Sequence, residues 1–141
     1  MHILLAVDGS ECSVRAAQVL ARQAGLYREP PRLTLLTVAL PIGTPLARSQ
    51  LSRETLEAYY RDIGRQALAP ARAVLAAAGL AFDEQVVVGD PAEQIAAVVK
   101  RFQPDLLVMG THGHSALKGF VMGSVAAKVM AATSVPLLLA R

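Results

Sequence analysis

Gly110 and Gly113 enclose two residues, nine more follow (His114 to Met122), and then come Gly123 and Ser124. All four lie in MGTHGHSALKGFVMGSV, Met109 to Val125, which leaves an apolar run and enters an Ala-rich segment that reads as a helix starting near Gly123 or Ser124. Glycines let a main chain come close to a ligand and turn its N–H groups toward it. A helix N-terminus adds unpaired N–H donors and about half a positive charge, and Ser124 adds a hydroxyl at the cap. The chemistry this spacing suits is the binding of an oxyanion. An ordinary glycine-rich strand-to-helix connection has the same composition, so glycine content alone does not decide between them.

Other reactive side chains are few. Asp8 follows an apolar run and precedes Gly9-Ser10, a placement that serves a turn or helix cap as readily as a ligand. His112 and His114 have an H-x-H spacing, but two imidazoles without a neighbouring Cys or carboxylate make a poor metal site. No metal-ligating protein residues are therefore expected. Lys118 reads as a solvated loop lysine by default and as a mobile charge for a terminal phosphate otherwise. Cys12 falls in the first turn of a helix and reads as a small apolar residue rather than a reactive thiol.

These residues must be positioned by short apolar runs alternating with Ala-rich segments. The candidate strands are Ile3 to Val7, Leu33 to Ala39, Phe82 to Val88, Leu106 to Met109 and Val135 to Ala140, and the candidate helices are 11–26, 51–78, 92–102 and 124–132. The strands are near-continuous apolar runs, the pattern of strands buried on both faces, and β-α alternation predicts a parallel sheet with right-handed crossovers. Asp90-Pro91-Ala92-Glu93 predicts a helix start, with Asp90 as cap, Pro91 at the first position and Glu93 completing a capping box. Gly79 predicts the end of the second helix, which Pro70 should kink or split. Pro41 to Ser49 reads as a mobile loop.

The chain of 141 residues is 53% hydrophobic and 18% charged, a size that suits one domain burying roughly 70% of its unfolded surface. A lone cysteine excludes an internal disulfide and fits a reducing compartment. The start MHILLAVDGS lacks the basic flank of a signal peptide, and no apolar stretch approaches the ~20 residues of a membrane span. A cytoplasmic location without membrane contact is expected. Fourteen Lys and Arg against eleven Asp and Glu give a formal charge of +3, but the basic residues are scattered and nucleic acid is not an expected partner. The chain carries no G-x4-G-K-[ST] and no G-x-G-x-x-G after the first strand, so P-loop and dinucleotide-binding readings are disfavoured.

The spacing G-x2-G-x9-G-[ST] is similar to the nucleotide motif of the ATP-binding class of universal stress proteins. The likeness extends through ILLAVDGS, LTLLTVALP, VGDPAEQI, PDLLVMGTHGHSALKGFVMGSVAAKV and SVPLLLAR, in order. It implies one UspA-like domain over residues 1–141, an α/β fold whose open five-stranded parallel sheet has the order 3-2-1-4-5, with helices on both faces. In such a sheet ligands bind where the strand order reverses, beyond the carboxyl ends of the strands. Those ends are Val7-Asp8 and Met109-Gly110.

Resemblance to the ATP-binding members further implies Asp8 at the ribose or adenine edge and the main chain of Val38 at adenine. Gly110, Gly113, Gly123, Ser124 and Val125 would hold the phosphates, with Met109, Thr111 and His112 lining the same wall. The implied ligand is ATP, ADP or AMP, with Mg2+ held by phosphates and water. A homodimer through the C-terminal strand, Val135 to Ala140, is also implied, because an edge strand with three leucines would otherwise face water. The expected role is a nucleotide-dependent stress-response or signalling module and not an enzyme. A slow ATPase or phosphotransferase, and a dimeric protein that works without nucleotide, remain the alternatives.

Overall fold

Continuous apolar strands demand a partner layer on each face. The computed structural model, which describes residues 1–114 and 122–141, supplies both. Five strands, β1 (His2–Ala6), β2 (Arg32–Ala39), β3 (Phe82–Val88), β4 (Leu106–Gly110) and β5 (Leu137–Ala140), form one sheet in the order β3-β2-β1-β4-β5. Every pairing is parallel, with Ile3 opposite Leu33 and Leu106, and Leu107 opposite Leu137.

Side chains that alternate along β1 enter two separate cores. Ile3, Leu5 and Val7 pack with Leu20, Leu68 and Leu75 beneath α1 (Glu11–Gln23) and α3 (Arg53–Ala77). Leu4 and Ala6 pack with Ile95, Val98 and Val129 beneath α4 (Pro91–Phe102) and α5 (Ser124–Ala132). Burial of both sets explains why β1 and β4 read as unbroken apolar runs; the edge strand β3 departs from that expectation, since Asp83 and Glu84 interrupt it and it is mostly exposed.

Helix ends follow the signals in the sequence. Asp90 Oδ1 accepts from the amides of Ala92 and Glu93, at 3.0 and 3.1 Å. Gly79, with φ +69, closes α3: its amide bonds to Ala76 and that of Leu80 to Leu75, the double bond of a Schellman turn.

Three boundaries differ from expectation. The 41–49 segment contains a short helix, α2 (Pro45–Ser49), because Thr44 caps it through the Ala47 amide and Pro45 fits the first helical position. Pro70 does not divide α3. It lies on the exposed face, as does Gln66, whose carbonyl loses its partner and is left to water. β5 begins at Leu137 rather than Val135: Pro136 has no N–H to donate, though its carbonyl accepts from Leu107 at 2.9 Å.

Candidate functional site

The order reverses between β1 and β4, and their carboxyl ends open onto a cavity of about 730 Å³. Val7 and Asp8 come to it from the end of β1, Val38 from β2, and Met109, Gly110, Thr111, His112 and Gly113 from β4 and the loop after it. Gly123, Ser124 and Val125 form the opposite rim at the start of α5. Every site residue expected from the sequence therefore lines one crevice. Lys118 and the surrounding 115–121 segment lie outside the described residues.

Among the described residues, α1, α3, α4 and α5 all begin at this end of the sheet, and their starts are not equivalent. Ser52 caps α3 by accepting from Thr55, and Glu54 sits in its first turn. Ser10 caps α1 by accepting from Ser13 at 3.3 Å, and Glu11 sits in the first turn. Asp90 caps α4, with Glu93 in its first turn. The cap of α5 is Gly123, which has no side chain to offer, and its first turn carries no acid. Acids beside a helix N-terminus offset its partial positive charge. Among the described residues, only α5 brings a helix start without a capping side chain or a first-turn acid to the cavity rim.

The glycines of the motif divide into different tasks. A Cβ on Gly110 would lie 2.8 Å from the carbonyl carbon and Cβ of Cys12 and 2.9 Å from the Ser13 nitrogen. Gly110 thus lets α1 pack on β4 while its main chain faces the cavity. A Cβ on Gly113 would instead lie 2.5 Å from Asp8 Oδ2. Gly123 donates its amide to the Thr111 carbonyl at 2.7 Å, and the Thr111 amide in turn bonds to Ala140 of β5 at 2.8 Å. Gly123 has φ −72, a conformation open to any residue.

Asp8 serves the turn and also lines the cavity. Its Oδ1 accepts the Ser10 amide at 3.0 Å, a local turn that Gly9 completes at φ +83, while the exposed carboxylate faces the cavity. His112 Nδ1 lies 3.1 Å from Thr111 Oγ1, and His114 Nε2 lies 2.8 Å from the Asp8 carbonyl oxygen. The described residues bring together no group of three His, Cys, Asp or Glu able to hold a metal ion. His2 is at the far end of the sheet, where burial and then the Arg32 guanidinium hold its imidazole below the usual range. No described helix is long and apolar enough to cross a membrane.

Sequence reasoning missed the apolar end of the cavity, lined by Leu36, Leu40, Pro91 and Ile95. From the sequence Leu36 belongs only to a candidate strand and Ile95 to a candidate helix, and Pro91 is a helix-start signal. The topological rule held the missing clue, since it brings the end of β2 and the start of α4 to the same crevice. His114 had been weighed only as half of a metal pair, and its bond to Asp8 crosses loops far apart in sequence.

The family model described as the universal stress protein family matches residues 1–141. A Thermus aquaticus universal stress protein, from the region 3′ of a QAH/OAS sulfhydrylase, is 32% identical over 139 residues, 99% of this chain and 97% of that protein. Universal stress protein Slr1230 of Synechocystis is 32% identical over 136 residues; the match covers 96% of this chain but only 41% of that relative. Among solved structures, the hypothetical protein MJ0577 aligns with a TM-score of 0.80 at 22% identity, covering 99% of this chain and 94% of the other. A universal stress protein solved in complex with cAMP aligns with a TM-score of 0.68 at 25% identity, covering 100% and 97%.

Proposed function

Because the chain belongs to the universal stress protein family, we propose that it is an adenine-nucleotide-binding module that serves stress response or signalling, with its phosphates held at the N-terminus of α5. The observation that carries this reading is the uncapped, acid-free first turn of α5 opening into the cavity at the strand switch. An anion is stabilised there by free N–H donors and the helix dipole. The apolar end, with Val38, Leu40 and Ile95, suits a planar base. The cAMP-bound neighbour supports the same ligand class.

Within that class the reading favours ATP, with ADP or AMP as the smaller ligands. Magnesium accompanying ATP would be held by phosphates and water, as this ion usually is. We assign binding rather than catalysis. Among the described residues lining the cavity the candidate bases are already engaged: Asp8 by the Ser10 amide, His112 Nδ1 by Thr111 and His114 Nε2 by the Asp8 carbonyl, whereas an activated water needs a base positioned for it.

Asp8 belongs to the nucleoside end in this reading, and Asp8→Ala tests it by titration calorimetry. A hydrogen bond to a charged carboxylate is worth about 1.5–3 kcal/mol, so ATP should weaken by roughly 10- to 150-fold. Tripolyphosphate should change little. Asp8→Asn, which keeps the acceptor for Ser10, separates loss of the carboxylate from loss of the turn. Equal losses for ATP and tripolyphosphate would remove Asp8 from the nucleoside end.

The same reading includes a homodimer through β5. The opposite edge, β3, is blunted by charges, with Asp83 3.7 Å from Arg32 and Glu84 2.6 Å from Arg72. β5 carries no charge, and its three leucines are only half buried. Light scattering at tens of micromolar should give twice the mass of the chain, and Leu138→Lys should give a monomer. Leu138 also packs against the α1-side core, so circular dichroism must show that the variant is folded. A parent that stays monomeric would refute the dimer.

A further inference from the structure

The two loops at the mouth of the cavity are tied by reciprocal bonds from side chain to main chain. Ser10, after β1, donates its hydroxyl to the His112 carbonyl at 3.4 Å. His114, after β4, reaches the Asp8 carbonyl with Nε2 at 2.8 Å. The second bond is the shorter and the better formed. A carbonyl oxygen only accepts, so the imidazole must carry a proton on Nε2.

Asp8 needs such a tie. It is exposed and followed by Gly9 at φ +83, a residue that leaves the chain many conformations. The Ser10 amide fixes one carboxylate oxygen, and His114 fixes the main chain from the other side. A Cβ on Gly113, immediately before His114, would lie 2.5 Å from the second carboxylate oxygen where it now stands. The Asp8 carboxylate is thus fixed from its own loop, and its main chain from the other.

We propose that His114 is a positioning residue: by holding the Asp8 main chain across the cavity mouth it sets affinity for the nucleoside part of the ligand without contributing to phosphate binding. This rests on the nucleotide reading above. A group fixed before binding loses less freedom on binding, so the tie acts through preorganisation rather than contact. A merely structural bond would lower stability and weaken every ligand alike. A metal role is excluded for Nε2 while it is bonded to Asp8.

The test compares the full-length chain with His114→Ala and His114→Gln, whose amide N–H can replace Nε2–H. Each is titrated with AMP, ATP with magnesium, and tripolyphosphate, and the imidazole nitrogens of the parent are observed by NMR. From the worth of one neutral hydrogen bond, His114→Ala should weaken AMP and ATP about fivefold, leave tripolyphosphate unchanged, and be largely rescued in His114→Gln. Equal losses for all three ligands, no loss at all, or a Gln variant no better than Ala would overturn the assignment. If the parent binds neither AMP nor ATP, the nucleotide reading falls by itself. The imidazole spectrum then decides the tie: an Nε2–H protected from exchange with water upholds it, and a proton on Nδ1, or an Nε2–H exchanging as fast as that of a free imidazole, overturns it.

Discussion

A valine at Gly113 is expected to weaken ATP by about a hundredfold in a chain that still folds, because the new side chain takes the space of the Asp8 carboxylate. The ideal Cβ position is 2.5 Å from Asp8 Oδ2 and 3.7 Å from its Cγ. That neighbour is the end of a rotatable side chain, and Gly113 itself is exposed. The clash is therefore relieved by turning Asp8 away, which costs the fold little and removes the carboxylate from the cavity. Calorimetry on a variant with parental circular dichroism measures it, and unchanged affinity would contradict the role of Gly113. Gly123→Val should act by a different route. Its φ of −72 suits any residue, and the obstacle is the Thr111 carbonyl oxygen 3.1 Å from the new Cβ.

At Gly110 the same kind of substitution should damage folding instead. A Cβ would meet the main chain of Cys12 and Ser13 at 2.8–2.9 Å, and a helix backbone cannot rotate out of the way. Either α1 moves off β4 or the strand end distorts. Overpacking a tight contact costs typically 1–3 kcal/mol and sometimes more; with main-chain atoms on the far side, Gly110→Ala should reach about 3 kcal/mol. For a domain of this size that lowers the melting temperature by roughly 10 °C. Scanning calorimetry gives the answer, and a melting temperature within a degree or two of the parent would show that α1 has room to spare.

These glycines mark the limit of what was legible in the chain. The strands were readable because buried parallel strands leave apolar runs, whereas their order came from the family likeness, and the crevice followed from that order because the ends of β1 and β4 then flank the switch. The residues that the family likeness implies for the site likewise line one cavity. The motif did not reveal that Gly110 serves the helix against β4 while Gly113 serves the carboxylate of Asp8, since spacing records that a side chain is missing but not which atom takes its place. The tie from His114 to Asp8 was hidden for a related reason: it joins residues 106 positions apart. Of the kink or split that Pro70 predicts, the split does not occur, because the carbonyl that loses its hydrogen bond lies on an exposed face, and that face is set by tertiary packing.

Nitrogen-15 NMR titration of the whole chain with ATP and magnesium tests the central claim most directly, since it reports both binding and place. Saturable shifts should be largest at the amides of Gly113, Ser124, Val125 and Ala126, with a second group at Val38 and Leu40. Shifts centred on the capped starts of α1 or α4, or no saturable shifts in a folded chain at millimolar ATP, would contradict a nucleotide held at α5.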